Sequence, residues 1–215
     1  VSETRGRFIV LEGTDGSGTT TQSRLLCHRL SEAGVPCVVT REPTDGPVGR
    51  LLRAALEKRL EGGVLDWKTL ALLFAADRTW HVENEILPAL ARGEWVISDR
   101  YTLSSLIYQT ITSPEPSTAR KWIEQINARA LVPDVTLVLD VSASVAEARR
   151  ANRGGPEELF DKRELQNRLA QAYLDAEHYD SSTIVHVDGS VELEVVAADI
   201  HREVMSRWAT SAAPR

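Results

Sequence analysis

The chain has 215 residues, 42% of them hydrophobic and 26% charged, with a formal net charge of −6 at pH 7. That length suits one α/β domain spanning 1–215 that can bury a core without disulfides or structural metals, and the acidic balance argues against nucleic acid or a membrane surface as partner. No apolar run reaches the ~18 residues of a membrane span, no basic-then-apolar leader opens the sequence, and Cys27 and Cys37 form neither a zinc spacing nor a disulfide framework, which predicts a reduced, cytoplasmic setting.

In chain order, Arg7 to Leu11 reads as a buried strand that runs straight into a Gly-rich turn. Leu25, Leu26 and Leu30 recur at helical spacing between Thr20 and Ala33, and Gly34 stops that helix. Val35 to Thr40 reads as a second buried strand and Val48 to Leu60 as a helix. Asp66 fits the N-cap of a long helix reaching Ala91, and Glu94 to Ser98 a third strand. Helices are expected from Leu103 and over Ser117 to Ala130, with a strong strand at Val135 to Val141. A helix from Ser144 to Asn152, a Gly154-Gly155-Pro156 loop, a helix over Lys162 to Tyr179, a fifth strand at Thr183 to Val187 and a closing helix over Val191 to Trp208 complete the reading. Five apolar strands separated by helices predict a doubly wound five-stranded parallel sheet. Ligands of such sheets bind beyond the carboxyl ends of the strands.

Chemistry is therefore expected just after each strand. Gly13-Thr14-Asp15-Gly16-Ser17-Gly18-Thr19-Thr20 fits the phosphate-binding loop G-x-x-x-x-G-K-[ST] except that Thr19 stands where the loop has Lys. Its glycines let backbone N–H groups point at phosphate oxygens, and Thr20 offers a hydroxyl to Mg²⁺. After strand two comes Arg41-Glu42-Pro43, and after strand three Asp99-Arg100-Tyr101, a carboxylate for a magnesium ion and a guanidinium for a phosphate. Phe74 and Arg78 sit four apart on the long helix, a pair suited to stacking on and hydrogen bonding a nucleobase. The alternative for that pair is a core Phe with a surface Arg.

Taken together, the loop, Arg41-Glu42-Pro43, Phe74-Ala75-Ala76-Asp77-Arg78, Asp99-Arg100-Tyr101, the Ser104 to Gln109 stretch and Pro133 to Asp140 resemble the bacterial thymidylate (dTMP) kinases, from about Arg7 to Trp208. The resemblance implies a P-loop nucleoside monophosphate kinase fold, ATP and Mg²⁺ as donor and cofactor, dTMP as acceptor, and a homodimer. It implies residue roles too. Gly13 to Thr20, with Arg149 and Arg153, would bind ATP, and Thr20 and Asp99 the metal. Arg41 and Arg100 would hold the dTMP phosphate. Phe74 would stack on thymine, Arg78 bond a base carbonyl, and Ser105, Tyr108 and Gln109 contact base and sugar. Asp15 would approach the deoxyribose 3′-hydroxyl. Asp15, Arg100 and Arg153 form the catalytic set, Arg153 belonging to a lid at about 149–161 that closes over ATP.

Thr19 is the main departure. An ammonium ~4 Å from the β/γ oxygens is worth very roughly 4 kcal/mol at an effective dielectric near 20, about three orders of magnitude in rate if it acts fully in the transition state. A lid Arg supplying that charge gives an active kinase; the alternatives are a slow kinase, a pseudokinase that senses nucleotide, or a deoxynucleoside kinase. Ile107 and Thr110-Ile111 also replace smaller residues usual in the family, which puts strict dTMP preference in question.

Overall fold

A computed structural model describes residues 5–61, 63–153, 159–160, 162–180 and 183–208. Its strands are β1 (Phe8–Glu12), β2 (Cys37–Arg41), β3 (Trp95–Asp99), β4 (Val135–Asp140) and β5 (Ile184–Asp188). The helices are α1 (Thr19–Glu32), α2 (Pro47–Leu56), α3 (Trp67–His81), α4 (Leu87–Ala91), α5 (Thr102–Thr112), α6 (Pro116–Asn127), α7 (Ala143–Arg153), α8 (Arg163–Leu174) and α9 (Leu193–Trp208). All strand pairs are parallel, in the order β2-β3-β1-β4-β5. The predicted doubly wound sheet is therefore present. Because the strands point one way, the segments that follow β1, β2 and β3 converge on one edge.

Alternation along β1 divides the core. Ile9 and Leu11 join Leu26 and Leu30 of α1 and Val196, Ile200 and Val204 of α9 on one face. Phe8 and Val10 face the other way, against Val82, Ile86, Leu90 and Tyr101. Strand β2 departs from the buried strand expected: it is an edge strand with one neighbour, and Val39 is 40% exposed.

The long helix begins as read, Asp66 accepting hydrogen bonds from the backbone N–H groups of Lys68 (2.9 Å) and Thr69 (3.2 Å). It does not run uniformly to Ala91. Between α3 and α4, Val82–Ile86 form a π turn in which the Leu87 N–H reaches back to the Val82 carbonyl. Pro88 is the cause in sequence: it has no N–H and its ring crowds the carbonyl four residues back, so the ladder widens ahead of it. Two other helices are shorter than read. Lys58 at φ 57 ends the α2 segment, and α8 gives way to a 3₁₀ turn at Ala176–His178.

Cys27 and Cys37 correct the expectation of unlinked thiols, and with it the cysteine-based argument for a reduced setting. The turn after α1 folds the chain back on itself, bringing their Cα atoms to 5.8 Å in a disulfide. A loop closed over 10 residues restricts the unfolded chain by about 3 kcal/mol in the chain-entropy model. Reduction is expected to lower the free energy of unfolding by up to that amount, read from denaturant titrations with and without reductant; identical midpoints would mean the pair contributes nothing.

Candidate active site

Residues 13–18 wrap from β1 into α1. Gly16 and Gly18 lie at φ 91 and 102, and a Cβ on Gly16 would sit 2.4 Å from the Ala146 carbonyl oxygen. Both backbone conformation and the closeness of α7 therefore demand glycine at position 16. The Ser17 N–H closes the loop on the Thr14 carbonyl at 3.0 Å. The Thr14 and Ser17 hydroxyls are buried without partners, at the positive end of α1, so the loop carries unmet hydrogen-bonding capacity where phosphate oxygens bind. Thr19 is 5% exposed and brings no cation.

Thr20 Oγ1 donates to Asp99 Oδ2 at 2.5 Å, while Asp99 Oδ1 is buried with no partner. The sequence assigned these two residues to the metal, and the fold places them together. Two hard oxygens fit a magnesium ion whose other ligands are phosphate and water. Among the described residues no group of three or more His, Cys, Asp or Glu could form a cage by itself.

Arg100 lies across the loop in the left-handed region, at φ 72. Its Nη2 donates to Asp15 Oδ1 (2.6 Å) and its Nη1 to Ser104 Oγ (3.2 Å) and Tyr173 Oη (3.1 Å), with the Tyr108 ring centroid 5.5 Å away. Glu12 lies beneath, fully buried, accepting from the backbone N–H groups of Tyr101 (2.8 Å) and Ser104 (3.1 Å), Ser104 Oγ (2.6 Å) and Tyr173 Oη (3.2 Å). Burial raises the Glu12 carboxyl above its ordinary range, against the pull of Arg100 and these donors. Burial opposes the charge on Arg100, but Tyr108, Asp15, Tyr173 and Glu12 outweigh it and hold the guanidinium well above its usual value. Arg100 is a permanent, oriented cation.

Asp15, Arg100 and Tyr108 also line a cavity of about 120 Å³ together with Phe74, Arg78, Ser105 and Gln109. Phe74 packs against the buried cluster of Leu52, Ala55 and Leu70. Arg78 is not the surface residue of the alternative reading: it is 2% exposed and donates to Glu42 Oε2 (2.6 Å), the Tyr101 carbonyl (2.9 Å), Ser105 Oγ (2.9 Å) and Asn127 Oδ1. Its Nε and the Gln109 Oε1 have no partner, leaving one donor and one acceptor unmet beside the cavity. Arg41 lies elsewhere. It is exposed, pairs with Asp45 at 2.8 and 3.1 Å, and borders a separate cleft with Thr20, Glu85 and Asp99. Arg41 and Arg100, expected together on the acceptor phosphate, do not share a cavity here.

The thymidylate kinase family profile matches residues 11–200. The chain belongs to the thymidylate kinase family. It is 40% identical over 205 residues to a protein named probable thymidylate kinase from Pyrococcus abyssi, covering 94% of this chain and 95% of the relative. It is 40% identical over 197 residues to the thymidylate kinase of Symbiobacterium thermophilum, covering 92% of each. With the thymidylate kinase of Rhodopseudomonas palustris it shares 34% over 208 residues, covering 95% of this chain and 90% of that one.

The C-terminal part of α7 holds one residue that spacing did not single out. Arg149 donates to the carbonyls of Ser17 (3.3 Å) and Gly189 (2.9 Å). Its neighbour Arg150 reaches further into the loop, donating to the Asp15 carbonyl and to Gln166 Oε1 (3.2 Å). Arg149 and Arg153 were read as a pair because they share a helical face; Arg150, on the adjacent face, is the one beside Gly16. Arg153 ends α7, and its side chain and the 154–158 stretch lie outside the described residues. Glu12 and Tyr173 were also missed, although a carboxylate closing the apolar run of β1 was a visible signal. Ile107 and Ile111 pack with Leu103, Val138 and Leu169 in the core and do not line the cavity. They share that core cluster with Tyr108, which does line the cavity.

Proposed function

We propose that the protein transfers the γ-phosphoryl group of MgATP to dTMP, giving dTDP and ADP. One observation carries this reading: Asp15 belongs to the phosphate loop and also lines the cavity it shares with Arg100, Phe74, Arg78 and Gln109. Donor phosphates on the loop and an acceptor nucleotide in the cavity thus meet at one residue.

In this assignment the loop N–H groups and the Thr14 and Ser17 hydroxyls take the donor phosphates. Magnesium held by Thr20 and Asp99 supplies charge neutralisation. Arg100 fixes the acceptor phosphate, and Arg41 joins it by exchanging Asp45 for that phosphate. Phe74 stacks on the base, Arg78, Ser105 and Gln109 read its edge, and Tyr108 and Asp15 flank the sugar. Transfer passes through a loose, electron-rich transition state, so the protein's task is alignment and positive charge rather than base catalysis. Arg149 and Arg150 tie α7 to the loop, and Arg153 in the 149–161 lid supplies the cation that Thr19 does not. We place the enzyme in the cytoplasm with its nucleotides, within a single 1–215 domain, and as a homodimer, for which Leu51 of α2 and Leu72 of α3 offer exposed apolar surface.

The test is ADP formation with MgATP and dTMP, dUMP, dCMP, UMP or no acceptor. Turnover led by dTMP, with kcat reduced about a hundredfold or more in Arg153→Ala but dTMP affinity retained, is the expected result. Calorimetric dTMP binding without turnover would assign a nucleotide sensor instead.

A further inference from the structure

Side chains unused by these roles connect Arg78 at the cavity to the Arg41 cleft. Arg78 pairs with Glu42 Oε2, and Glu42 Oε1 lies 3.0 Å from His81 Nδ1. His81 Nε2 lies 2.6 Å from Thr40 Oγ1, which donates to Glu85 Oε2 at 2.6 Å. Glu85 and Thr40 line the cleft. His81 is fully buried, and the side chains of Arg78 and Glu42 are 2% and 3% exposed.

Counting hydrogens along these side chains, with both glutamates ionised, points to one state of the imidazole. Ionised Glu85 only accepts, so the single Thr40 hydroxyl hydrogen points at it. Thr40 Oγ1 can then only accept from His81, which requires a hydrogen on Nε2. Glu42, ionised against Arg78, likewise accepts, which requires a hydrogen on Nδ1. A neutral imidazole has one N–H; two make it an imidazolium. A neutral ring would leave an acceptor facing an acceptor at one of these two short contacts. The other groups around the ring are Asp77 and Arg78 on α3 and the Tyr101 ring 6.4 Å away. Asp77 is engaged by the Thr44 N–H and hydroxyl at 2.8 and 2.6 Å. Three carboxylates, Glu42, Asp77 and Glu85, thus surround Arg78 and His81.

We propose that His81 is a buried imidazolium acting as a positioning residue. It orients Glu42, Glu42 aims Arg78 at the cavity, and Glu85 sets the protonation of His81 through Thr40 from the rim of the neighbouring cleft. The consequence for substrate rests on the reading that the cavity takes a nucleobase; the charge state does not.

The test is ¹⁵N NMR of histidine-labelled protein at about pH 7, with the His81 signals assigned by their loss in His81→Gln or, if that variant does not fold, by their response to Glu85→Gln. Both His81 nitrogens should be protonated. In Glu85→Gln the side-chain amide can donate to Thr40, whose hydroxyl then turns to His81, and Nε2 should lose its proton. KM for dTMP should rise about tenfold in that variant, the worth of one charged hydrogen bond, with kcat and KM for ATP within about twofold. A His81 with one N–H in the unaltered protein, or Glu85→Gln with unchanged imidazole signals, overturns the proposal. The NMR result stands whether or not dTMP is turned over, so failure of the relay and failure of the kinase reading are separately visible.

Discussion

Arg100→Met is expected to lower kcat/KM for dTMP by about three orders of magnitude, the value of a fixed, charged contact to a phosphate in a partly desolvated site. Asp15, Ser104 and Tyr173 hold the guanidinium in place before any substrate arrives, so little of its effect is spent on ordering a flexible side chain. Lys in its place would keep the charge but lose the fork, and Arg100→Lys should fall between the two. Steady-state kinetics with dTMP and ATP varied in turn decide it: a loss below about tenfold would remove Arg100 from the acceptor site. The variant should also change its response to pH. Glu12 already titrates above its ordinary value because it is buried, and Arg100 opposes that shift. Removing Arg100 raises it further. A carboxyl with a raised folded-state pKa costs stability above that pKa and the cost is relieved below it, so Arg100→Met should recover stability relative to the unaltered protein as pH falls from neutral toward the Glu12 value.

Arg78→Met should be the most destabilising of the single substitutions considered. It leaves Glu42, with a side chain 3% exposed, as a buried carboxylate that has lost its 2.6 Å partner. Breaking such a pair from one side costs about 3–5 kcal/mol, which for a chain of this size lowers Tm by roughly 6–20 °C. The Tyr101 carbonyl and Ser105 Oγ lose a donor as well. Adding Glu42→Gln removes the carboxylate that has kept only His81 as its charged partner and should restore part of the loss, a coupling that equilibrium unfolding of the four proteins of the cycle measures directly. A single-variant loss under about 1 kcal/mol would show that the pair is more hydrated than its burial implies.

What the sequence made legible was what is local. The apolar runs of β1 and β4, the Gly spacing of the loop and the Asp66 cap all act on residues within a few positions of themselves, and each stands where it was read. The Thr20–Asp99 meeting was also accessible, because a parallel sheet delivers both residues to one edge. The supporting charges were not. Glu12 receives Tyr173 from 161 positions away and Arg78 reaches Asn127 across 49; no periodicity encodes such pairings. The Asp45 partner of Arg41 was not legible either, because a motif gives the residue and its strand end but not the neighbour four positions on that holds the side chain. The disulfide escaped for a similar reason: a spacing of 10 residues carries no signal until the turn after α1 closes it.

The strand order has a consequence for the chain as it is made. β1 pairs with β3 and β4 and with no earlier strand, so the segment that carries the phosphate loop is finished at Glu12 but gains its second neighbour only when Asp140 has been added. At ribosomal rates that interval is on the order of ten seconds. Until Asp99 is made, Phe8, Ile9, Val10 and Leu11, all buried in the finished protein, are an unpaired apolar strand with both edges open, and one edge stays open until Asp140, the kind of segment that sticks to its own copies. The nascent chain is therefore a natural client for chaperones that shield early hydrophobic segments, and the order that puts the loop at the centre of the sheet is also what delays its protection.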